Sequence, residues 1–112
     1  MNKICTSLEQ SKKLMGLGID VKTADVCWSI DIPDLPTLLA YPITDCDNWE
    51  NKIPAWSLSA LLKLFDDKAG LAKEYGTWFA YDNGKSHCDK HCDDPVDAVF
   101  EMVCWLKENG KL

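Results

Sequence analysis

The sequence predicts an α+β fold, with three helices packed on a small antiparallel sheet in a single domain that spans residues 1–112. Apolar residues recur at helical spacing in three segments, and a run of strand-favouring residues precedes the turn dipeptide Asn83-Gly84. The length of 112 residues suits one domain, and a hydrophobic content of 46% is enough for a core.

The first helix is predicted over residues 7 to 17. Thr6 and Glu9 have the spacing of a capping box, in which each side chain accepts a hydrogen bond from a free backbone N–H of the first turn. Gly18 can adopt the left-handed conformation that ends a helix. A short strand or buried extended segment is predicted at residues 26–30, where apolar and small residues alternate.

The segment from residue 32 to residue 56 is predicted to be irregular. Each proline removes a backbone donor and forces the preceding residue toward an extended conformation. Four of the five prolines lie here: Pro33, Pro36, Pro42 and Pro54. We expect the large apolar side chains of this segment to hold it against the rest of the domain.

The second helix is predicted after Ser57, which can cap it, and is expected to end near residues 66–70. Its apolar stripe consists of Leu58, Leu61, Leu62 and Phe65. The third helix is predicted to start at Asp94 and Pro95, a carboxylate cap followed by a proline at the first helical position, and to end at Gly110. Its buried face is predicted to consist of Val96, Val99, Phe100, Val103 and Leu106.

A hairpin is predicted near residues 77–91, between the second and third helices. Residues 77–81 favour a strand, and the positive φ angles of Asn83-Gly84 suit a two-residue turn. The returning strand would run from residue 85 to about residue 91.

The charge of the chain argues against nucleic-acid binding. The chain has twelve lysines, no arginine and eighteen acidic residues, which gives a net charge of −6. Phosphate binding requires cations, and base recognition depends heavily on the arginine guanidinium. The acidic surface is expected to be solvated, and its alternative use is to attract a basic partner.

No segment has the roughly 18 consecutive apolar residues of a membrane helix, and the first residues lack an apolar signal core. We therefore predict a cytoplasmic protein without a membrane association. The six cysteines are too few for a disulfide scaffold and are predicted to be reduced.

Four potential zinc ligands, His87, Cys88, His91 and Cys92, lie within six residues. On a helix they would share one side. On the predicted strand, histidines and cysteines point to opposite faces, and positions four apart are separated by roughly 13 Å, too far for one metal ion. The strand also separates His87 from Cys88, which argues against a thiol nucleophile. We expect no cofactor, and zinc remains the alternative.

Asp45, Asp47 and Glu50 suggest calcium, but the spacing of an EF-hand is missing and they are expected to be turn residues. The chain also has five tryptophans, which suit cores and interfaces alike. Trp56 follows the proline-rich segment, and Trp105 lies off the main stripe of the third helix. These two are our candidates for a surface that faces a partner or a second copy.

Four short segments of the chain carry a resemblance to a known group, in the same order along the sequence: residues 7–14, 23–25, 53–62 and 94–98. In these segments the chain resembles a group of small uncharacterised proteins encoded by phages and mobile elements of gut Bacteroides and related bacteria. The group has no established activity, so the resemblance implies no site residues. Its helix-opening motif more often reads Asn-Pro-Val-Asp-Ala, where this chain has Asp94. Paired His-Cys residues are not a fixed feature of the group, and this argues further against the zinc alternative.

We therefore expect an accessory protein of a phage or mobile element, not an enzyme, that acts by binding another protein; a homodimer is possible. Two alternatives remain open. One is an acidic inhibitor or immunity-type protein that binds a basic nuclease or regulator. The other is a small zinc-stabilised module that uses His87, Cys88, His91 and Cys92.

Overall fold

Three helices and five strands form the part of the chain that the computed structural model describes, which is residues 3–65, 70–81 and 92–110. The helices are α1 (Leu8–Gly16), α2 (Leu58–Leu62) and α3 (Pro95–Glu108). The strands are β1 (Val26–Ser29), β2 (Thr37–Leu39), β3 (Lys52–Ala55), β4 (Gly70–Glu74) and β5 (Thr77–Tyr81). Together they confirm the predicted α+β class, with two small antiparallel sheets in place of one.

The N-cap of helix α1 lies one residue later than predicted. Ser7, and not Thr6, is the N-cap: its hydroxyl accepts from the backbone N–H of Gln10, while the Gln10 side chain accepts from the backbone N–H of Ser7. The predicted Thr6–Glu9 capping box is therefore wrong. Thr6 is fully buried, and its hydroxyl is engaged with Ser11 and with the backbone of Trp56 instead.

Helix α3 begins as predicted. Asp94 is buried at the N-cap, and its carboxylate accepts hydrogen bonds from the backbone N–H groups of Val96 and Lys3. All five predicted face residues are buried, and so are Met102 and Cys104. The buried surface is wider than one stripe because α2, β4 and β5 all pack against α3.

Strands β2, β1 and β3 form the first sheet, in that order. The segment 32–56, predicted to be irregular, therefore contains two strands and one short 3₁₀ turn at Ile43–Asp45. Pro54 is tolerated in β3 because the register of β3 with β1 turns its nitrogen away from β1. The Ile30 N–H donates to the Asn51 carbonyl, so by alternation Ile53 and Ala55 bond to β1, while Pro54 faces away and needs no N–H there.

Strands β4 and β5 form a second sheet through a tight turn at Tyr75 and Gly76, whose φ angles are 52° and 80°. Two consecutive positive φ angles define the turn that matches strand twist in a hairpin. The strand predicted at residues 77–81 is confirmed, but its described neighbours are β4 and, on the other side, a single bridge from Trp78 to Cys92. The predicted turn and return strand at residues 82–91 lie outside the described residues.

Helix α2 is shorter than predicted, since it ends at Leu62 and Gly70 already belongs to β4. Leu61 is fully buried, and Leu58, Leu62 and Phe65 pack partly buried against the core. None of the helices within the described ranges has the length and apolar character needed to cross a lipid bilayer.

Candidate functional site

Trp56 is part of the core. Its side chain is fully buried, its indole N–H donates to Thr23 Oγ1 at 2.9 Å, and its backbone N–H donates to Thr6 Oγ1 at 3.1 Å. The expectation that Trp56 faces a partner is therefore wrong. A tryptophan at the end of β3, next to α2, is covered by tertiary packing that the sequence pattern around it does not reveal.

Trp105 is half-buried and packs against the core cluster from α3. Its role at an interface remains a prediction.

Three of the four predicted zinc ligands, His87, Cys88 and His91, lie outside the described residues. Cys92 is described: it is half-buried, and its backbone N–H and carbonyl both bond to Trp78, at 2.8 and 2.7 Å. Within residues 3–65, 70–81 and 92–110, no three His, Cys, Asp or Glu side chains are grouped so that they could hold a metal ion.

Among the described residues, an apolar groove lies beside Trp28. It consists of two adjoining depressions of about 300 and 460 Å³ that share Ser7 and Trp28. The residues that line them are Lys3, Ile4, Cys5, Ser7, Leu8, Glu9, Trp28, Pro36 and Leu38. We call this surface the Trp28 groove.

The register of the first sheet builds the floor of the Trp28 groove. Trp28 on β1 lies opposite Leu38 on β2. Trp28 bonds through its backbone to β3, so the Trp28–Leu38 pair is a non-hydrogen-bonded one, the type whose side chains lie closest. The indole N–H of Trp28 donates to the Thr6 carbonyl at 3.0 Å, which fixes the ring against the segment that precedes α1.

Strand β2 is an edge of the sheet among the described residues. Thr37 and Leu39 lie opposite Ser29 and Cys27, whose backbone groups point toward β2. By alternation, the N–H and carbonyl of Leu38 point away from the sheet. Such outward backbone groups are a template for a further strand.

Large apolar side chains are exposed at the borders of the groove. Ile4, which lines it, is 73% exposed, and Leu35, next to Pro36 in the chain, is 64% exposed. Exposed apolar side chains beside an apolar depression are typical of an interaction surface, and Ile4 has this position.

Two charged side chains of the described residues line the groove, Lys3 and Glu9. Lys3 lies in it, but its ammonium group is paired with Asp97 at 2.7 Å. Glu9 also lines it and forms no ion pair with a described residue, so its negative charge is the one that is left unpaired in the lining. The groove therefore favours a ligand that carries a positive charge beside its apolar part.

A third depression, of about 380 Å³, lies near Lys22, Thr44 and Lys63 and is more polar. Its carboxylate, Asp25, already accepts hydrogen bonds from the backbone N–H and the hydroxyl of Ser57 at the start of α2. Asp25 therefore serves the helix cap.

Two buried thiols have strongly raised pKa values. Burial raises the pKa of Cys27 to about 11, with a further contribution from its hydrogen bond to Cys46. Burial, and then the negative charge of Asp25, raises the pKa of Cys5 to about 11. Both residues are free cysteines.

These thiols predict a loss of stability at alkaline pH. In the unfolded chain they lose their protons near pH 8.5, but in the folded chain only near pH 11. Their contribution to stability is therefore complete below about pH 8.5 and is lost as the pH rises toward 11. Urea unfolding would measure how far the free energy of unfolding decreases from pH 8 to pH 10.5. We expect this decrease to be roughly 1–3 kcal/mol smaller in Cys27→Ala than in the wild-type protein. Equal pH slopes for the two proteins would contradict this assignment.

No family model matches the chain, and neither a curated protein nor a solved structure matches it. The resemblance to proteins of phages and mobile elements therefore remains a prediction, and the case for a function depends on the geometry of the Trp28 groove.

Proposed function

We propose that this chain is a non-enzymatic protein-binding module, and that the Trp28 groove binds an extended apolar segment of a partner protein. The observation that carries the proposal is an apolar groove beside strand β2, whose outer edge is unpaired in the described part of the chain. Either feature alone occurs on many proteins, but together they match the way in which protein domains bind peptides as an added strand.

The occupant follows from the two kinds of contact that this surface offers. The outward N–H and carbonyl of Leu38 can form two backbone hydrogen bonds with an extended segment. Side chains that alternate along that segment would then enter the depressions on either side of Trp28. A helix has no free backbone groups to give to the edge, so we commit to an extended partner segment.

The partner segment should also carry a lysine or arginine near one end. Glu9 lines the groove without a described ion-pair partner, and the whole chain has a net charge of −6. A cation on the partner would find its complement there. Binding should therefore weaken as the salt concentration rises.

A random dodecapeptide library displayed on phage tests the proposal. Selection would be made on the wild-type protein alone, and Leu38→Pro, which removes the outward N–H, would be kept for the affinity measurements. Proline is tolerated at an edge position whose N–H faces solvent. The enriched peptides would be synthesised and their affinities measured by calorimetry for wild type, Leu38→Pro, Ile4→Asp and the control Tyr75→Asp. Tyr75 is 95% exposed on the β4–β5 turn and does not line the groove.

We expect peptides with alternating apolar residues and a basic end, whose affinity falls at least about tenfold in Leu38→Pro and in Ile4→Asp but stays unchanged in Tyr75→Asp. Peptides that bind all four proteins equally would overturn the proposal. A failure to enrich any peptide on the wild-type protein would overturn it as well. A concentration-dependent dimer that Leu38→Pro abolishes would instead assign the groove to a second copy of the chain.

A further inference from the structure

Two cysteines that are distant in the sequence lie next to each other, one in strand β1 and the other after the Ile43–Asp45 turn. The sulfur atoms of Cys27 and Cys46 are 3.9 Å apart, and both residues are free. Cys27 is fully buried in β1, whereas Cys46 is half-buried directly after the Ile43–Asp45 turn. Cys46 is thus the more exposed residue of the pair, and the sulfur of Cys27 lies beside its own.

We propose that Cys46 is a thiol-oxidation site and Cys27 its resolving cysteine, so that a small disulfide such as oxidised glutathione converts the pair into a Cys27–Cys46 disulfide. The sulfurs need to approach by only about 2 Å to reach bonding distance. Cys46 follows a short surface turn that begins after Pro42, and such a turn can shift more easily than a central strand. This inference does not depend on the proposed function.

The reaction balances in two exchanges. First the Cys46 thiolate attacks one sulfur of oxidised glutathione, forms a mixed disulfide and releases one glutathione thiolate. Cys27 then loses its proton to solvent base and attacks the Cys46 sulfur, which releases the second glutathione. The two protein thiols are oxidised by two electrons, and one glutathione disulfide is reduced to two thiols. Because the pKa of Cys27 is raised to about 11, the second exchange is expected to accelerate as the pH rises.

The cross-link would restrain the strand edge of the Trp28 groove. The chain between Cys27 and Cys46 includes Trp28, all of β2 and the connection between β1 and β2. Closing this loop removes conformational freedom mainly from the unfolded chain. We expect the oxidised protein to melt at least about 5 °C higher than the reduced protein.

The test is oxidation of the reduced full chain with oxidised glutathione at pH 8, followed by acid quenching, intact mass measurement and peptide mapping without reduction. Cys46→Ser removes the thiol of the more exposed residue, and Cys27→Ala removes the resolving one at a buried site where serine could disturb packing. Cys92→Ser is the matched control, since Cys92 is the other half-buried cysteine among the described residues. Circular dichroism would verify that each protein is folded.

We expect wild type and Cys92→Ser to lose two hydrogens and to yield the peptide that joins positions 27 and 46. Cys27→Ala should stop at one glutathione adduct on Cys46, and Cys46→Ser should form neither product at these positions. Three results would overturn the proposal: a stable adduct on Cys46 in the wild-type protein, a disulfide of either cysteine with another one, or both thiols remaining free in folded protein.

Discussion

Trp56→Ala is expected to lower the free energy of unfolding by about 3–5 kcal/mol, a large share of the roughly 5–15 kcal/mol that stabilises a domain. The side chain is fully buried in the core cluster with Leu14, Leu61 and Val103. Truncation leaves a large cavity and removes the indole hydrogen bond to Thr23. Urea unfolding followed by far-ultraviolet circular dichroism would measure the change.

Trp56→Phe is the matched control, because it keeps most of the apolar volume and loses only the indole hydrogen bond and part of the ring. We expect it to cost roughly half as much as the alanine variant. An alanine variant with the wild-type unfolding midpoint would show that Trp56 does not lie in the core.

Thr6→Val is expected to cost about 2–4 kcal/mol, although valine has nearly the same shape. The Thr6 hydroxyl contacts Ser11 Oγ at 2.8 Å and accepts from the Trp56 backbone N–H at 3.1 Å, and all three residues are fully buried. Valine would leave a buried donor and a buried hydroxyl without partners. Calorimetric unfolding would measure this cost.

The control at this position is Thr6→Ser, which keeps the hydroxyl and removes a methyl group, for an expected cost of about 1 kcal/mol. If valine were tolerated as well as serine, the hydrogen bonds of Thr6 would have no net value and the site would be explained by packing alone.

Local signals in the sequence predicted the start of α3 correctly. Asp94 and Pro95 act within one helical turn, and no distant residue is needed to interpret them. The cap of α1 was harder to predict because Thr6 and Ser7 are both suitable cap residues. Ser7 is the cap because the Thr6 hydroxyl is already hydrogen-bonded to the buried residues Ser11 and Trp56. The contact with Trp56 is a tertiary one, which local sequence does not reveal.

The strands between residues 32 and 56 are hard to predict because proline argues against a strand wherever the register is unknown. Pro54 is compatible with β3 only because its nitrogen faces away from β1, and that depends on the register. Strand β4 was missed because the turn at Tyr75 and Gly76 has only one glycine to mark it.

The Trp28 groove could not be predicted from local patterns either. Trp28 and Leu38 are ten positions apart and meet only through the pairing of β1 with β2. The alternation of residues 26–30 predicts a short strand or a buried extended segment around Trp28, but not that Leu38 lies opposite it in a strand that ends the sheet among the described residues. Of the two tryptophans predicted from the sequence to face a partner, Trp56 lies instead in the core, and the role of Trp105 stays a prediction.

Amide hydrogen exchange at Leu38, followed by NMR with and without a peptide selected on the wild-type protein, tests the binding proposal most directly. In the free protein, the Leu38 amide should exchange faster than those of Thr37 and Leu39, which bond to β1. At saturation with the peptide, exchange at Leu38 should slow at least about tenfold, with no change at Tyr75. Unchanged exchange at Leu38 in a saturated complex, with protection on another face, would contradict an added strand at this edge.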